Sequence, residues 1–441
     1  MSVLGRSMIP RIPDEYLEKY LLGYVLLIPW GLAFQNIGMV LFGAYTLIYS
    51  LPYVSRLSKA KGLTVLVYCL PLITLLISLI YSTNASLGLH KLYGMLPWIV
   101  FPLFFFLLRP STWLSKELLY KTTLYFGLSM LVLVLVNFMV LVFESNFALQ
   151  EVLKLPGRYV SEATVYFHYL QFAYYLSFSI TGLAYLWLFN KGPLHQMHPI
   201  IVTGVLAVKM AYLFLLGARI SLAITVVVLI ALALMSLYGR HNRNGVFLLG
   251  MLGVSVLGAF MAEIPLLEKI KEAINYKGAY SDLHQTWGGR MMRNEIWSCT
   301  SKLWFDSPIL GHGIGASQTL IDDCLRETSR RPELYLGSFR FNAHSQYFQL
   351  ALYGGIISLS AFLFQFYFLA RLALKKKDII FFCFLFISLI SFTTESMLER
   401  NQGVVFFSFF AALFGAVHFQ ERQKEIKGSS KNSRNFESEI Q

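Results

Sequence analysis

The sequence has few charged residues. Asp, Glu, Lys and Arg make up 14% of its 441 residues, whereas a soluble domain carries roughly 25%. Hydrophobic residues make up 56% of the chain, and the mean hydropathy is +0.57. This balance excludes an ordinary soluble domain. It predicts an all-α polytopic membrane protein, in which each spanning helix needs about 20 mostly apolar residues.

Motifs for nucleotide and metal chemistry are also lacking. The chain contains no glycine-rich phosphate loop, no H-E-x-x-H and no D-x-D array, so neither a cofactor nor a metal site is expected. The net charge of +13 would suggest a nucleic-acid partner for a soluble protein. In a membrane protein the position of the charges matters more than their sum, and no nucleic acid is expected.

Cysteine is scarce, and the four residues form no metal-binding pattern. Cys69 and Cys383 lie in predicted spans. Cys299 and Cys324 share a polar segment that is predicted to lie outside the cytoplasm, where the environment is oxidising. A disulfide between them and two free buried thiols are both open alternatives.

Apolar runs bounded by charges or by Pro and Gly predict about 12 transmembrane helices. Their predicted ranges are 20–35, 37–54, 63–82, 92–108, 119–143, 166–190, 199–216, 220–238, 245–263, 346–371, 378–395 and 403–419. The first two are short, and only Gln35 and Asn36 separate them, which predicts a tight helical hairpin.

Lys and Arg gather in alternate loops, and this asymmetry predicts the orientation. With the N-terminus inside, basic clusters such as 371–377 and 422–434 are cytoplasmic. The short outer loops then hold only Lys91, Lys154, Arg158, Arg219 and Arg400. Both termini are predicted inside, and the long polar segment is predicted outside.

The predicted organisation has five parts. The parts are a cytosolic N-terminus without a cleaved signal (1–19), transmembrane helices 1–9 (20–263), a large periplasmic loop (264–345), transmembrane helices 10–12 (346–419) and a cytosolic disordered tail (420–441).

Three groups of polar residues are predicted at the outer face. In the first, Gly217, Ala218 and Arg219 separate two spans. The Arg219 guanidinium would lie at the outer membrane boundary, where its fork of donors suits phosphate oxygens. An arginine that only contacts lipid headgroups is the alternative.

The second group begins with a stretch of helical spacing from about residue 290 to 305. Arg290 and Arg293 are three residues apart and therefore share one face. Two such cations would suit a diphosphate, although a solvated helix face is the alternative. The apolar side would contain Ile296, Leu303 and Trp304.

A loop rich in glycine follows this helix and permits a close approach to another surface. Its marked positions are Pro308, Gly311, Gly313 and Gly315.

The third group precedes an apolar span. Asn342 is predicted to cap the start of that helix, and His344 would face the outer water at its first turn, beside Ser345. Gly354 and Gly355 further along the span permit close helix packing.

Four further residues are weaker candidates for the same site. Glu395 and Glu399 are four apart and would share one helical face, either contacting substrate or pairing with an outer arginine. His168 lies near the outer end of its span among tyrosines. Lys209 lies inside a span and needs a polar partner or a polar cavity.

Taken in order, these elements resemble the O-antigen ligase and polymerase superfamily of bacterial inner-membrane glycosyltransferases, over roughly residues 200–410. The matching elements are the arginine between two spans (Arg219), R-x-x-x-W (Arg293 to Trp297), P-x-x-G-x-G-x-G (from Pro308) and N-x-H-[NS]-x-Y-x-Q (from Asn342). Ser345 stands where Asn is commoner, and Arg290 competes with Arg293.

The resemblance implies a GT-C-like membrane fold and an inverting, metal-independent transfer of a glycan from undecaprenyl diphosphate at the periplasmic face. Ligases use the lipid A core as acceptor, and polymerases use another lipid-linked repeat unit. It also implies functional roles for one histidine and two arginines, here His344, Arg219 and Arg293. His344 would act as general base or as a hydrogen-bond donor to the diphosphate.

Two alternatives to a ligase remain open. A polymerase of the same superfamily fits the motifs almost equally well. A transporter of lipid-linked sugars would share the composition and topology, but transporters often contain internal repeats and bind substrate at mid-membrane. No repeat is evident here, and the polar candidates gather at the outer face.

Overall fold

The computed structural model describes residues 14–50, 59–107, 114–147, 152, 155, 157–162, 168–239, 244–261, 290–329 and 341–439. Every regular element within these ranges is helical. The α-helices are α1 (Asp14–Leu27), α2 (Leu32–Ser50), α3 (Lys59–Ser78), α4 (Ala85–Gly94), α5 (Pro97–Pro102), α6 (Lys116–Glu144), α7 (Gly157–Glu162), α8 (Tyr169–Leu188), α9 (Pro199–Leu216), α10 (Arg219–Tyr238), α11 (Asn244–Met261), α12 (Arg290–Asp306), α13 (Ser317–Thr328), α14 (Gln346–Lys375), α15 (Ile379–Thr394) and α16 (Asn401–Glu439).

Five of the described helices are long and apolar enough to cross a membrane. They are α6, α9, α10, α14 and the part of α16 from Asn401 to Glu421. A sixth span results if α4 and the following helix, which are bent by 43° relative to each other, count as one. Shorter apolar helices lie within α2, α3, α11 and α15. The described residues are thus all-helical, as expected for a polytopic membrane protein, and the larger number of spans stays a prediction.

Two helices form the centre of the bundle. Residues 171–188 of α8 and 402–418 of α16 are buried without interruption. A helix that is apolar on all sides must be enclosed by others. Phe178 of α8 packs against Phe410 of α16 with ring centroids 4.8 Å apart. The helices packed directly against this pair include α10, α14 and α15, while α12 rests on α14.

The predicted hairpin at Gln35 and Asn36 is wrong. The chain turns earlier, at Gly31, whose φ of 95° lies in the region that favours glycine. Gln35 lies inside α2, where it is buried and donates a 3.0 Å hydrogen bond to the Tyr175 hydroxyl. The adjacent amides of Gln35 and Asn36 suggested a break between helices. The hydrogen-bond partner of Gln35, Tyr175, lies 140 residues away and cannot be recognised from the local sequence.

The predicted span 92–108 also begins too late. The helical segment starts at Ala85, after Asn84, whose side chain accepts a 3.0 Å hydrogen bond from the backbone of Leu87. The bend follows Gly94, because Pro97 lacks the backbone donor that a continuous helix requires.

The tail after Gln420 differs from its prediction as well. The composition of the tail favours disorder, yet the backbone of α16 is helical as far as Glu439. The tail continues directly from an apolar helix, so extending the existing helix avoids the cost of nucleation.

Candidate active site

The segment before α14 is fixed by hydrogen bonds on both sides. The Trp297 indole of α12 donates to the carbonyl of Ala343 over 3.0 Å. The amide of Ala343 donates to Gln349 Oε1 over 2.7 Å, and the amide of His344 donates to Asn342 Oδ1 over 2.9 Å. These bonds set the direction in which the His344 side chain leaves the backbone.

The predicted helix cap at Asn342 is wrong. Ser345 occupies the N-cap position of α14 without a capping bond from its side chain, and Asn342 forms a local turn with His344 instead. His344 therefore precedes the helix, with a φ of 44° that is uncommon for a residue with a side chain. Such a conformation persists only where surrounding contacts determine it, and it is typical of functional sites.

His344 is paired with Glu395. Its Nδ1 lies 3.0 Å from Glu395 Oε2, and the two side chains are 20% and 5% exposed. Burial alone would raise the pKa of Glu395. The hydrogen bond and charge of His344, with smaller contributions from His168 and Arg293, outweigh burial and lower the pKa below its ordinary value of 4.5. Glu395 is therefore a carboxylate at neutral pH.

This pairing determines the tautomer of the imidazole. A carboxylate only accepts hydrogen bonds, so Nδ1 of His344 must donate. In the neutral ring, Nε2 then has a free lone pair. His344 thus offers a proton-accepting nitrogen, which its carboxylate partner holds in a fixed orientation.

Arg293 lies beside this pair. It precedes Trp297 by one helical turn on α12 and so shares the face that contacts the segment before His344. Its charge contributes to the lowered pKa of Glu395. The predicted helix from 290 to 305 and its apolar side are confirmed. Arg290 begins the helix, but its side chain lies outside the described residues.

Arg219 lies on a different helix from Arg293. It is the exposed first residue of α10, after Gly217 ends α9 with a φ of 65°. The Tyr169 phenol interacts electrostatically with Arg293, with Glu395 and with Arg219. The two arginines and the carboxylate, far apart in sequence, therefore lie around one tyrosine at the start of α8.

His168 belongs to the same group. It occupies the N-cap position of α8, and its ring centroid is 5.0 Å from that of Tyr169. Its charge also contributes to the lowered pKa of Glu395. The sequence flagged His168 only for its place near the end of a span.

Tyr169 itself was not among the predicted residues. Tyrosines are common at membrane boundaries, so no signal in the sequence distinguished it from its neighbours.

Glu395 and Glu399 do not share a helical face, which corrects the prediction. Helix α15 ends at Thr394, Glu395 is extended, and Met397–Glu399 is a short 3-10 helix. Glu399 Oε2 instead lies 3.1 Å from Lys91 Nζ. At Glu395 the backbone changes from helical to extended, and the two carboxylates therefore point toward different partners.

Lys91, Tyr353 and Glu399 form a second polar cluster, which the sequence did not reveal. Lys91 donates to the Tyr353 hydroxyl over 2.6 Å, and that hydroxyl donates to Glu399 over 2.6 Å. Lys91 was recognisable only as one of the few cations in the short outer loops. The cluster ties α4 and α14 to the segment that carries Glu395.

Lys209 lies apart from the site. It is fully buried within α9 and donates hydrogen bonds to the carbonyl of Gly127 and to the hydroxyl of Ser179. It lies about 12 Å along the helix from Gly217, at 1.5 Å per residue. These bonds supply the polar partners that its burial requires and connect α9 to α6 and α8.

Helices α12 and α13 form a small cross-linked unit. Cys299 and Cys324 are joined by a disulfide, which decides the alternative that the sequence left open, and Cys69 and Cys383 are free and buried. Ile296 and Leu325 are buried in the core between the helices. This unit carries Arg293 and rests on the first turns of α14.

The glycine-rich loop after α12 docks on α14 at a break in that helix. A Cβ on Gly311 would lie 2.6 Å from the backbone of Gly355 and of Leu352. The amide of His312 donates to the carbonyl of Leu352 over 2.7 Å, and that of Ile356 donates to Pro308 over 2.8 Å. The predicted close approach of this loop to another surface is confirmed.

The backbone amides of residues 311–315 in this loop are already used. Ile314 and Gly315 donate to the hydroxyls of Ser78 and Ser82 at 3.3 and 2.9 Å, and Gly313 donates to the carbonyl of Tyr353 at 3.0 Å. A loop that binds phosphate through its amides needs free N–H groups. Residues 311–315 therefore form a structural joint, and the arginine side chains are the candidates for binding an anion.

The site thus contains a proton acceptor with two arginines in its surroundings. Nε2 of His344 can take a proton, and Glu395 stabilises the imidazolium that results. Arg293 and Arg219 can bind an anionic group through charge-assisted hydrogen bonds. Within the described residues no group of three or more His, Cys, Asp or Glu side chains is arranged to hold a metal ion.

Comparison with known proteins gives a family match over part of the chain. No curated protein matches the chain. Residues 202–363 match the family model described as O-antigen ligase, a region that contains Arg219, Arg293, the glycine-rich loop and His344. Glu395, Lys91 and the first two hundred residues lie outside the match. Residues 202–363 therefore carry an O-antigen ligase domain, and this partial match supports the resemblance to the O-antigen ligase and polymerase superfamily.

Proposed function

We propose that the protein transfers a glycan from undecaprenyl diphosphate to an acceptor hydroxyl at the extracytoplasmic face of the bacterial inner membrane. The observation that carries this proposal is the 3.0 Å contact between His344 Nδ1 and Glu395, which leaves Nε2 as a base beside Arg293. The O-antigen ligase match supports the class of reaction.

The arginines stabilise the departing diphosphate. As the bond between the sugar and the diphosphate breaks, negative charge grows on the phosphate oxygens. Arg219 and Arg293 approach Tyr169 from different helices and would hold the diphosphate between them. Cations fixed in place before the reaction stabilise such charge without reorganisation.

His344 activates the acceptor. Nε2 takes the proton of the acceptor hydroxyl while its oxygen attacks the anomeric carbon, and the bond to the diphosphate oxygen breaks on the opposite side. The anomeric configuration inverts, and undecaprenyl diphosphate leaves with the electron pair. The proton remains on the imidazole, stabilised by Glu395, until it passes to water or to a phosphate oxygen.

A second role for His344, donation of a hydrogen bond to the diphosphate, gives different kinetics. If His344 is the base, His344→Ala lowers kcat and leaves the KM for the lipid-linked donor unchanged. If it only binds the donor, KM rises instead. Steady-state kinetics with purified protein and a lipid-linked donor distinguish the two roles.

The proposed side of the membrane has two supports. Disulfides persist in oxidising compartments, so the Cys299–Cys324 bond favours an extracytoplasmic position for α12 and α13. The excess of Lys and Arg in alternate loops supports the same orientation, with both termini cytoplasmic. Labelling of engineered cysteines by an impermeant reagent in intact cells tests it.

The acceptor decides between ligase and polymerase, and we favour a ligase that acts on the lipid A core. A deletion strain that lacks ligation accumulates lipid-linked polymer with none attached to the core. A strain that lacks polymerisation attaches a single repeat unit. The glycan profile of the deletion strain therefore tests the proposal, and a profile identical to wild type would contradict both versions.

Transfer is proposed to need no metal. Activity of the purified protein should be unchanged by EDTA, because the arginine side chains supply the positive charge at the diphosphate. Strict dependence on added Mg²⁺ or Mn²⁺ would refute this part of the mechanism.

A further inference from the structure

The end of α12 and the loop after it expose large apolar side chains. Phe305, Ile309 and Leu310 are 73%, 62% and 51% exposed. We call residues 305–310 the loop tip. A cluster of this kind on an extracytoplasmic unit marks a surface that contacts something apolar.

The height of the loop tip can be measured along α14. The hydrocarbon core is about 30 Å thick, which corresponds to about 20 helical residues. Gly354 and Gly355 interrupt α14, so the count uses the regular part of the helix after them. Ile356 lies 15 residues before Arg371 at the basic end of the helix, which is about 22 Å at 1.5 Å per residue and therefore inside the core. Pro308 bonds to Ile356, and His312 bonds to Leu352. The loop tip therefore lies at the level of the outer part of the hydrocarbon core.

A second measurement along α3 gives the same level. This helix ends at Ser78, which lies 16 residues after Gly62 and about 24 Å from it at 1.5 Å per residue. Tyr81 follows three residues later, and its hydroxyl donates to the carbonyl of Leu310. Both helices therefore end or break near the outer edge of the core, where they contact the loop tip.

The exposed surfaces on either side continue this apolar patch. Ile77 and Ile80 are exposed at the end of α3, and Ile356 and Ile357 are exposed on α14. Since α14 is a candidate span, its exposed apolar residues face lipid. The loop tip lies between these two surfaces and extends them.

We propose that the loop tip is embedded in the outer leaflet and anchors the α12–α13 unit to the bilayer. Its partner is the acyl-chain region of the membrane. Asp306 is exposed within the tip and limits the depth of insertion to the boundary zone. Because the loop is bonded to α14 at Leu352 and Ile356, the anchor holds α12 at a constant height above the membrane.

Fluorescence quenching tests the anchor. Cysteines introduced at Ile309 and Leu310, with Cys69 and Cys383 replaced by Ser and the disulfide kept, carry an environment-sensitive dye. The protein is reconstituted in phosphatidylcholine–phosphatidylglycerol vesicles, with or without brominated acyl chains. Ile357→Cys on α14 is the lipid-exposed control.

Glu327→Cys on α13 is the matched aqueous control. Glu327 is exposed and adjoins Thr328, whose hydroxyl contacts Cys299 in the middle of α12, above the loop tip. We expect bromine to quench the loop-tip dyes as strongly as the dye at 357 and several-fold more than the dye at 327. Iodide in the water should quench in the reverse order.

Two results would overturn the proposal. Loop-tip dyes that iodide quenches as strongly as the dye at 327 would mean that the tip is in water. Protection from both quenchers would mean that a protein surface covers it. Phe305→Cys provides a third position if a loop variant fails to fold, and an intact disulfide with monodisperse elution identifies the folded variants.

Discussion

Two histidine–carboxylate pairs lie at opposite ends of α15. At its start, Asp378 Oδ2 is 2.7 Å from Nε2 of His418, while Oδ1 caps the helix by accepting from Phe381. At its end, Glu395 is 3.0 Å from Nδ1 of His344. The sequence drew attention to only one of these histidines.

The surroundings of the two imidazoles differ. His418 is completely buried, its ring packs on Phe381, and its other nitrogen lies 3.5 Å from Glu421. His344 is partly exposed, and the charges near its carboxylate are those of Arg293 and His168. An imidazole whose nitrogens both face carboxylates in a closed site acts as a structural link. One with an open nitrogen beside cations is available for chemistry.

The largest expected effect separates the two pairs directly. His344→Ala should reduce transfer by about 10²- to 10⁴-fold, the usual contribution of a general acid–base group. His418→Ala should retain transfer in whatever protein remains folded, because it removes only a structural link. Activity per folded protein in vesicles measures both, and equal losses would contradict the distinction.

The cations should have the next largest effect. Arg293→Ala and Arg219→Ala should each lower transfer by about 10²- to 10³-fold, as when one preorganised donor is removed from developing charge. Each Lys variant should recover part of the loss, because charge is kept and the forked geometry is not. Arg326→Ala on α13, an exposed arginine in the same α12–α13 unit, is the control. Equal losses for Arg326→Ala and Arg293→Ala would show that the position of Arg293 is unimportant.

Replacing the carboxylate should have a smaller effect. Glu395→Gln keeps the shape but removes the charge that stabilises the imidazolium, and transfer should fall on the order of 10- to 100-fold, as for other partners that orient functional histidines. The loss should appear in kcat. Asp378→Asn at the other end should leave kcat unchanged in folded protein, and a kcat loss as large as that of Glu395→Gln would contradict the comparison.

The His344–Glu395 pair should also make stability depend on pH. Because His344 lowers the pKa of Glu395, the pair stabilises the folded state above the ordinary carboxyl pKa and loses this stabilisation as the pH falls through the lowered value. In His344→Ala, the hydrogen bond and charge that offset the effect of burial on Glu395 are lost. The pKa of Glu395 should therefore rise, and the folded state should begin to lose stability at a higher pH. Tm measured against pH for the wild-type protein and for His344→Ala checks this expectation. Superimposable curves would contradict it.

Reduction of the disulfide should have the smallest effect on chemistry. The bond closes a loop with a sequence separation of 25 residues, and its loss should destabilise the α12–α13 unit by about 3 kcal/mol. Hydrogen exchange of the Cys299→Ser, Cys324→Ser variant should increase around Trp297 and His344 and stay unchanged around His418. A uniform increase would mean that the unit is not locally stabilised.

Local patterns in the sequence predicted several features correctly. The helix from about 290 to 305, the separation of two spans at Gly217 and the close approach of the glycine-rich loop all depend on residues near one another in the chain. Helical spacing, positive-φ glycines and apolar faces act over a few residues, so a sequence shows them directly.

Partners distant along the chain were not predictable in this way. Glu395 was a candidate, but its partner His344 lies 51 residues away, and Lys91 meets Glu399 across 308 residues. The error at Asn342 has the same origin, because a residue suited to capping a helix can equally close a local turn, and the backbone after it decided which.

The sequence alone indicated a helical membrane protein, the residue types of its candidate site and the loops that carry charge, because hydropathy and charge act on each segment separately. Only the tertiary structure decided which histidine has an open nitrogen, which carboxylate orients it and which arginines lie beside it. Those properties depend on how the ends of α8, α10, α12, α14 and α15 pack together, and packing between segments far apart in the chain leaves no local pattern.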